Sequence, residues 1–206
     1  MLLASMEIGK LIITCFLLVL AYGLGSISGA IISCRLFSLP DPRKNGSKNP
    51  GSTNVYRLGG ALPATVTLAI DSTKGALPVY LAISFELPAL AQGVVALAAI
   101  AGHLYPLYYQ FKGGKGVATT FGAGLILSPL TTLFITVCWI AIARRVRISS
   151  IASLTAAVTA PFAAYYLDPE YTLVYSALSI MIIFRHKDNI IGLFTGNEKR
   201  LDKPDL

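Results

Sequence analysis

The sequence predicts an all-α fold, a polytopic membrane helical bundle of about seven transmembrane helices in one domain covering residues 1–206. Three observations carry this. Of the 206 residues, 54% are hydrophobic and only 13% charged, whereas soluble domains carry about 25% charged residues. The mean hydropathy of +0.66 is concentrated in several runs, most of them near the ~20 residues that cross a hydrocarbon core. The basic residues gather in one set of connecting segments, the pattern of cytoplasmic loops. A formal charge of +7 then reflects those loops and an anionic ligand, not nucleic acid. Cys15, Cys34 and Cys138 lie in or beside apolar runs without metal-ligand spacing and read as small core residues.

The first span, Leu11–Ile32, is long enough to cross and has no Ala-x-Ala cleavage site at its end, so it reads as a span and not a signal peptide. Gly23, Gly25, Ser26, Ser28 and Gly29 in its second half let a helix or a ligand approach the backbone closely. A polar segment follows over Ser33–Gly60. Leu39-Pro40-Asp41-Pro42 breaks any helix, and Arg43 to Asn54, RKNGSKNPGSTN, sets small polar residues between cations. Such residues form solvated turns or converge amide, hydroxyl and N–H donors on an anion.

The second span, Ala61–Ile83, contains Asp71 and Lys74 on one helical face. Ionisable groups at membrane depth must pair or face a polar cavity. After the short turn at Phe85-Glu86 the third span runs over Leu87–Tyr109. It leads into Gly102–Thr119, GHLYPLYYQFKGGKGVAT, where paired glycines separate Lys112 from Lys115. Bare backbone between two cations suits an anion pressed against main-chain N–H groups, although the spacing is not that of a Walker A loop. The apolar region Val117–Ala143 is broken at Ser128-Pro129 and makes either two short helices or one kinked span. Arg144, Arg145 and Arg147 follow, then a span over Ile148–Leu167, the acidic turn Asp168-Pro169-Glu170, and a short span over Tyr171–Phe184. The chain continues through Arg185-His186-Lys187-Asp188-Asn189 into a polar tail containing Glu198.

Charge arbitrates the break at Pro129. If it is a true turn, fifteen of the 17 Lys+Arg residues share one side, with Lys10 opposite and Lys74 inside a span. Glu7, Glu86, Asp168 and Glu170 fall on the other side. The seven-span arrangement with an external N-terminus satisfies the positive-inside rule; a kink would not. It also gathers the three polar motifs on the cytoplasmic face.

Those motifs are rich in cations, amides and hydroxyls and poor in carboxylates, which argues against metal hydrolysis and calls for no cofactor. They suit a phosphate-bearing substrate handled by positioning and electrostatic stabilisation. Both histidines of the chain, His103 and His186, sit in them. Gly25-Ser26, Arg43-x2-Gly46-Ser47-x-Asn49-Pro50-Gly51-x-Thr53-Asn54, Gly102-His103-x2-Pro106-x4-Phe111 through Thr119, and Arg185-His186-x2-Asn189-Ile190 resemble the signature segments of the bacterial acyl-phosphate-dependent glycerol-3-phosphate acyltransferases, the PlsY family. Asp71-x2-Lys74-Gly75, Ser150 and the order of spans extend the likeness over nearly the whole chain.

The resemblance implies a multi-pass enzyme of the bacterial inner membrane with its site at the cytoplasmic face. It would move a fatty acyl group from acyl phosphate to the 1-hydroxyl of glycerol 3-phosphate, giving 1-acylglycerol 3-phosphate and phosphate. Its partners would be those two small molecules and membrane lipids, with no nucleic acid, cofactor or metal. From the resemblance and the chemistry together, Lys115, Ser150, His186 and Asn189 form the catalytic set. Arg43, Gly46, Ser47, Asn49, Thr53, Asn54, His103, Lys112, Gly113 and Gly114 would bind substrate and phosphate. The acyl tail is expected between spans near Gly23 and Gly25, and no carboxylate base is evident. Lys48 and Ser52 depart from the family's usual Gly and Ala. A small transporter of an organic phosphate would also show Asp71, Lys74 and cationic loops, but with internal repeats that this chain lacks. A lipid-binding structural protein would not need two Gly-rich cationic loops on one side. The His-x4-Asp acyltransferases are excluded, because Tyr108 and Ile191 stand where the Asp belongs.

Overall fold

A computed structural model of the chain describes residues 2–201 and is helical throughout, with no strand among the described residues. Ten α-helices follow in order: α1 Leu2–Gly25, α2 Gly29–Leu36, α3 Ser52–Gly59, α4 Ala61–Ser84, α5 Ala89–Leu104, α6 Val117–Leu127, α7 Pro129–Val146, α8 Ser149–Leu167, α9 Thr172–Arg185 and α10 Lys187–Phe194. One layer groups α1 to α6; α7, α8 and α9 pack side by side as a second, joined to the first through α6–α7 and α5–α9. Helices close on one another where side chains are absent. A Cβ at Gly25 would collide with the Ala99 backbone and one at Gly102 with the Tyr22 carbonyl, so α1 and α5 meet backbone to backbone. Gly75 and Gly122 do the same for α4 and α6.

The outward surfaces are apolar. Phe16, Val19, Leu133, Phe134, Val137, Phe162, Leu173 and Ile180 are all exposed, as expected of a surface solvated by lipid. Among the described residues, four stretches are long and apolar enough to cross a membrane: Met6–Leu36, Ala89–Tyr109, Pro129–Val146 and Ser149–Leu167. The other three expected spans are shorter or more polar. α4 is long enough but carries two charges, while the 11 residues of α6 and 14 of α9 cover about 16 and 21 Å, short of a ~30 Å core.

The first span differs from expectation. Its helix starts before Leu11 and breaks at Ser26–Ser28, so Leu11–Ile32 is two helices, not one. The break frees backbone groups that a membrane interior cannot solvate, and α4 satisfies them. Lys74 Nζ donates to the Ile27 carbonyl, and the Gly29 N–H donates to Asp71 Oδ1 at 3.1 Å. Asp71 and Lys74 are themselves an ion pair at 2.8 Å, both buried. Ser28 caps α2, and Ser26 Oγ accepts the Leu107 N–H at 3.1 Å.

The turn at Ser128 is real. Thr131 Oγ1 donates to Asp168 Oδ2 at 2.6 Å and Ser128 Oγ to the same oxygen, which ties the α6–α7 turn to the α8–α9 turn. Tyr171 OH donates to Gln92 Oε1, whose Nε2 reaches the Leu87 carbonyl, so the α4–α5 turn joins them. Three turns thus share one end. The basic segments share the other: Arg185 bonds the Gly113 and Gly114 carbonyls, Lys199 Nζ the Gly46 carbonyl, and Leu201 N–H the Arg147 carbonyl. Lys203, assigned to this side from the sequence, lies outside the described residues.

Candidate active site

The basic end opens into a cavity of about 1010 Å³ between the two layers. Its mouth is polar and its depth apolar. The mouth is built from the loop before α3, the loop before α6, the start of α8 and the α9–α10 junction.

The first loop owes its shape to Asn54, which is 1% exposed. Its Oδ1 accepts the Ser47 N–H at 2.8 Å, and its Nδ2 donates to the Pro42 and Asn45 carbonyls at 2.9 and 3.1 Å. Gly46 is left-handed at φ +63°, and a Cβ there would collide with Asn54 Oδ1. Asn54 therefore spends its amide on the loop while lining the cavity together with Gly46, Ser47, Asn49, Ser52 and Thr53. Lys48 also adopts a left-handed conformation, φ 59°, one that suits the glycine usual in the resembled family.

Arg43 does not line the cavity. It forms an ion pair with Asp41 at 2.7 Å and lies over the Tyr109 ring at 5.7 Å, bracing this loop against the next. Arg57 lines the cavity instead. It follows Thr53 by one helical turn on α3, and its Nη2 donates to the Arg200 carbonyl at 3.1 Å.

In the second loop, His103 is buried and its carbonyl accepts the Gly114 N–H at 3.1 Å. Arg185 clamps the loop, donating to the Gly114 carbonyl at 3.1 Å and the Gly113 carbonyl at 3.0 Å while lying over the Tyr105 ring. His103, Gly113 and Lys115 line the cavity; Lys112 and Gly114 face a small separate pocket beside Ser26 and Lys74. Burial brings the Lys115 ammonium down to about 8, with Arg57 and Arg185 adding to it against Glu198 and Asp188.

His186 is 2% exposed at the end of α9. Its Nδ1 lies 2.8 Å from the Ile182 carbonyl, which can only accept, so Nδ1 carries the proton and Nε2 is the free acceptor. Burial lowers its pKa to about 4, helped by Lys115 and Arg185, so the ring is neutral near pH 7. Asn189 Nδ2 and Ser150 Oγ both donate to Glu198 Oε1, each at 2.7 Å. A carboxylate thus sits in a site expected to have none in evidence, and it is occupied in orienting two polar side chains.

The apolar depth runs between α6, α7, α8 and α9, past Phe121, Trp139, Ala156, Ala157, Leu178 and Ile182. Gly23 and Gly25, where the tail is expected from the sequence, line no part of this groove; a Cβ at Gly25 would collide with the Ala99 backbone of α5.

The family model described as glycerol-3-phosphate acyltransferase matches residues 15–196. The chain belongs to that family. Curated glycerol-3-phosphate acyltransferases agree: that of Hahella chejuensis is 53% identical over 88% of this chain and 94% of its own. The Pseudoalteromonas translucida protein is 50% identical over 89% and 90%. Two crystal structures of PlsY (YgiH), an integral membrane glycerol 3-phosphate acyltransferase, superpose over 91% of this chain and 94% of theirs. The glycerol 3-phosphate form gives a TM-score of 0.85 at 35% identity, and the lysophosphatidic acid form 0.82 at 34%. This is thus a multi-pass membrane protein of the acyltransferase family. Sequence reasoning missed Arg57 and Glu198 as parts of its site. The i, i+4 spacing of Thr53 and Arg57 was a usable signal for the first; the second lies in an aperiodic tail with none.

Proposed function

We propose that this acyltransferase moves a fatty acyl group from acyl phosphate to the 1-hydroxyl of glycerol 3-phosphate. The reaction takes place at the cytoplasmic face of a bacterial inner membrane, with the chain crossing seven times. What supports this reading is one continuous cavity, cationic at its mouth and apolar in its depth. Two anionic head groups fit the mouth and one acyl tail fits the depth.

Lys115 and Arg57 offset the repulsion between the two phosphates, and the donors of Ser47, Asn49, Ser52 and Thr53 hold one of them. Asn189 and Ser150, fixed by Glu198, orient the glycerol portion, and His186 Nε2 accepts the hydrogen bond of its 1-hydroxyl. That oxygen attacks the acyl carbonyl. The new C–O ester bond forms as the bond to the phosphate oxygen breaks, and the hydroxyl proton passes by way of His186 Nε2 to the departing phosphate. A mixed anhydride has a good leaving group, so no covalent acyl-enzyme is required. Arg43, Asn54, His103, Lys112, Gly113 and Gly114 keep the two loops in shape, with Gly113 presenting backbone to the mouth.

Purified protein given long-chain acyl phosphate and glycerol 3-phosphate should release phosphate and 1-acylglycerol 3-phosphate in equal amounts. Uptake of an organic phosphate into sealed vesicles without any acylation would favour a transporter.

A further inference from the structure

We infer that Tyr175 and Thr132 form the floor of the apolar groove and set the longest acyl chain that the enzyme takes fully inside; this rests on the reading of that groove as the acyl site. The groove ends at a definite level on every wall. It is lined by no residue of α9 before Tyr175, of α8 beyond Ala160 or of α7 before Thr132. At that level Thr132 Oγ1 and Tyr175 Oη are hydrogen-bonded at 2.8 Å, with the two residues 5% and 2% exposed.

The pair is held from behind. It sits against α6 at Gly124, where a Cβ would collide with Thr132 Oγ1 and come within 3.0 Å of Tyr175 Oη. Below it the bonds of Ser128 and Thr131 to Asp168 close the two turns together, and Leu127, Tyr171 and Val174 pack there in the same core cluster as Tyr175. A ring so braced stops a chain; it does not swing aside, because a close-packed interior leaves no space to receive it.

The depth follows from the helices. His186 follows Tyr175 by eleven positions, or about 16 Å at about 1.5 Å per residue. An extended hydrocarbon chain built of ~1.5 Å bonds advances about 1.25 Å per carbon, so about thirteen carbons fill the groove. Up to that length each methylene is buried by the enzyme. Beyond it, further methylenes leave the groove or press on the floor, and a pocket gains about tenfold or more for each methylene it accommodates. The dependence of kcat/KM on chain length therefore rises and then breaks.

The test measures kcat/KM of the purified full-length protein with saturated acyl phosphates of about ten to eighteen carbons, for the native protein and three variants. Tyr175→Ala removes the floor and moves the break about two to four carbons longer. Ala156→Leu, placed above the floor on α8, moves it shorter. Tyr175→Phe loses the hydrogen bond but keeps the ring and leaves the break in place, whereas a role confined to that bond would respond to it. If Tyr175→Ala does not fold, Ala156→Leu carries the test alone. An unmoved break in folded, active variants overturns the floor and leaves the acyl-transfer reading standing. A native protein that transfers no acyl group of any length overturns both.

Discussion

Asn189 donates to Glu198 Oε1 at 2.7 Å, joining a residue at the start of α10 to the aperiodic tail that follows it. Because the same oxygen takes the Ser150 hydroxyl, Glu198 fixes two groups from different helices at one point. Glu198→Ala should lower kcat by about one to two decades and destabilise the fold by about 1–3 kcal/mol, the range for charge-assisted bonds to a partly exposed carboxylate. Glu198→Gln, which keeps an acceptor, should recover most of the stability. Thermal unfolding in detergent beside steady-state kinetics checks both, and an Ala variant with native turnover would remove Glu198 from the site.

Arg57 and Arg43 separate binding from bracing. Arg57 lines the cavity and Arg43 is held by Asp41 and Tyr109. Arg57→Ala should raise KM for glycerol 3-phosphate or acyl phosphate about tenfold to a hundredfold. Arg43→Ala should change KM by less than about threefold, since a partly exposed ion pair contributes about 1 kcal/mol or less. A larger KM effect at Arg43 would mean that the guanidinium reaches substrate.

Acidification should destabilise the protein through His186. Its folded pKa of about 4 lies below the unfolded value of about 6.5, so the unfolded state binds more protons between them. The stability of the neutral ring is full above about pH 6.5 and is lost as pH falls towards 4, by roughly 3 kcal/mol in all. His186→Gln should flatten that part of the stability–pH curve. Alkali acts on binding instead. Lys115 near 8 loses its charge as pH rises through that value, so kcat/KM should fall above pH 8 and Lys115→Arg should hold it level.

Topology is open to labelling. In a background without Cys15, Cys34 and Cys138, cysteines at Lys48 and Arg145 should be shielded from an impermeant thiol reagent in intact cells. Cysteines at Glu86 and Glu170 should react. Reaction at Arg145 from outside would break the seven-crossing arrangement.

The helical membrane class and the order of the spans were legible because hydropathy needs only composition and run length. The Ser128 turn was legible from charge alone, since only a true turn puts Arg144, Arg145 and Arg147 with the other cations. The break at Ser26–Ser28 was not, because apolar residues continue through it and its satisfaction comes from Asp71 and Lys74, more than forty residues away. In the site, the cavity receives Gly46, Ser47, Asn49, Thr53, Asn54, His103, Gly113, Lys115, Ser150, His186 and Asn189 together. Arg43, Lys112 and Gly114 share those motifs but point elsewhere, since residue type marks a polar loop without saying which side of it faces a ligand. Lys48 shows the converse: its positive φ preserves the turn that its side chain disfavours, and Lys48→Gly should stay within about 1 kcal/mol of native stability with activity intact.

Direct transfer from acyl phosphate to glycerol 3-phosphate in one cationic mouth needs neither a thioester donor nor an acylated enzyme. The most direct measurement compares kcat/KM of the purified protein for acyl phosphate and for acyl-CoA of the same chain length, with glycerol 3-phosphate as acceptor and a chelator present. Efficient turnover of acyl phosphate, negligible turnover of acyl-CoA and no acylated protein in the intact mass are expected. Equal rates from the two donors, or an acyl group trapped on a serine, would contradict direct transfer.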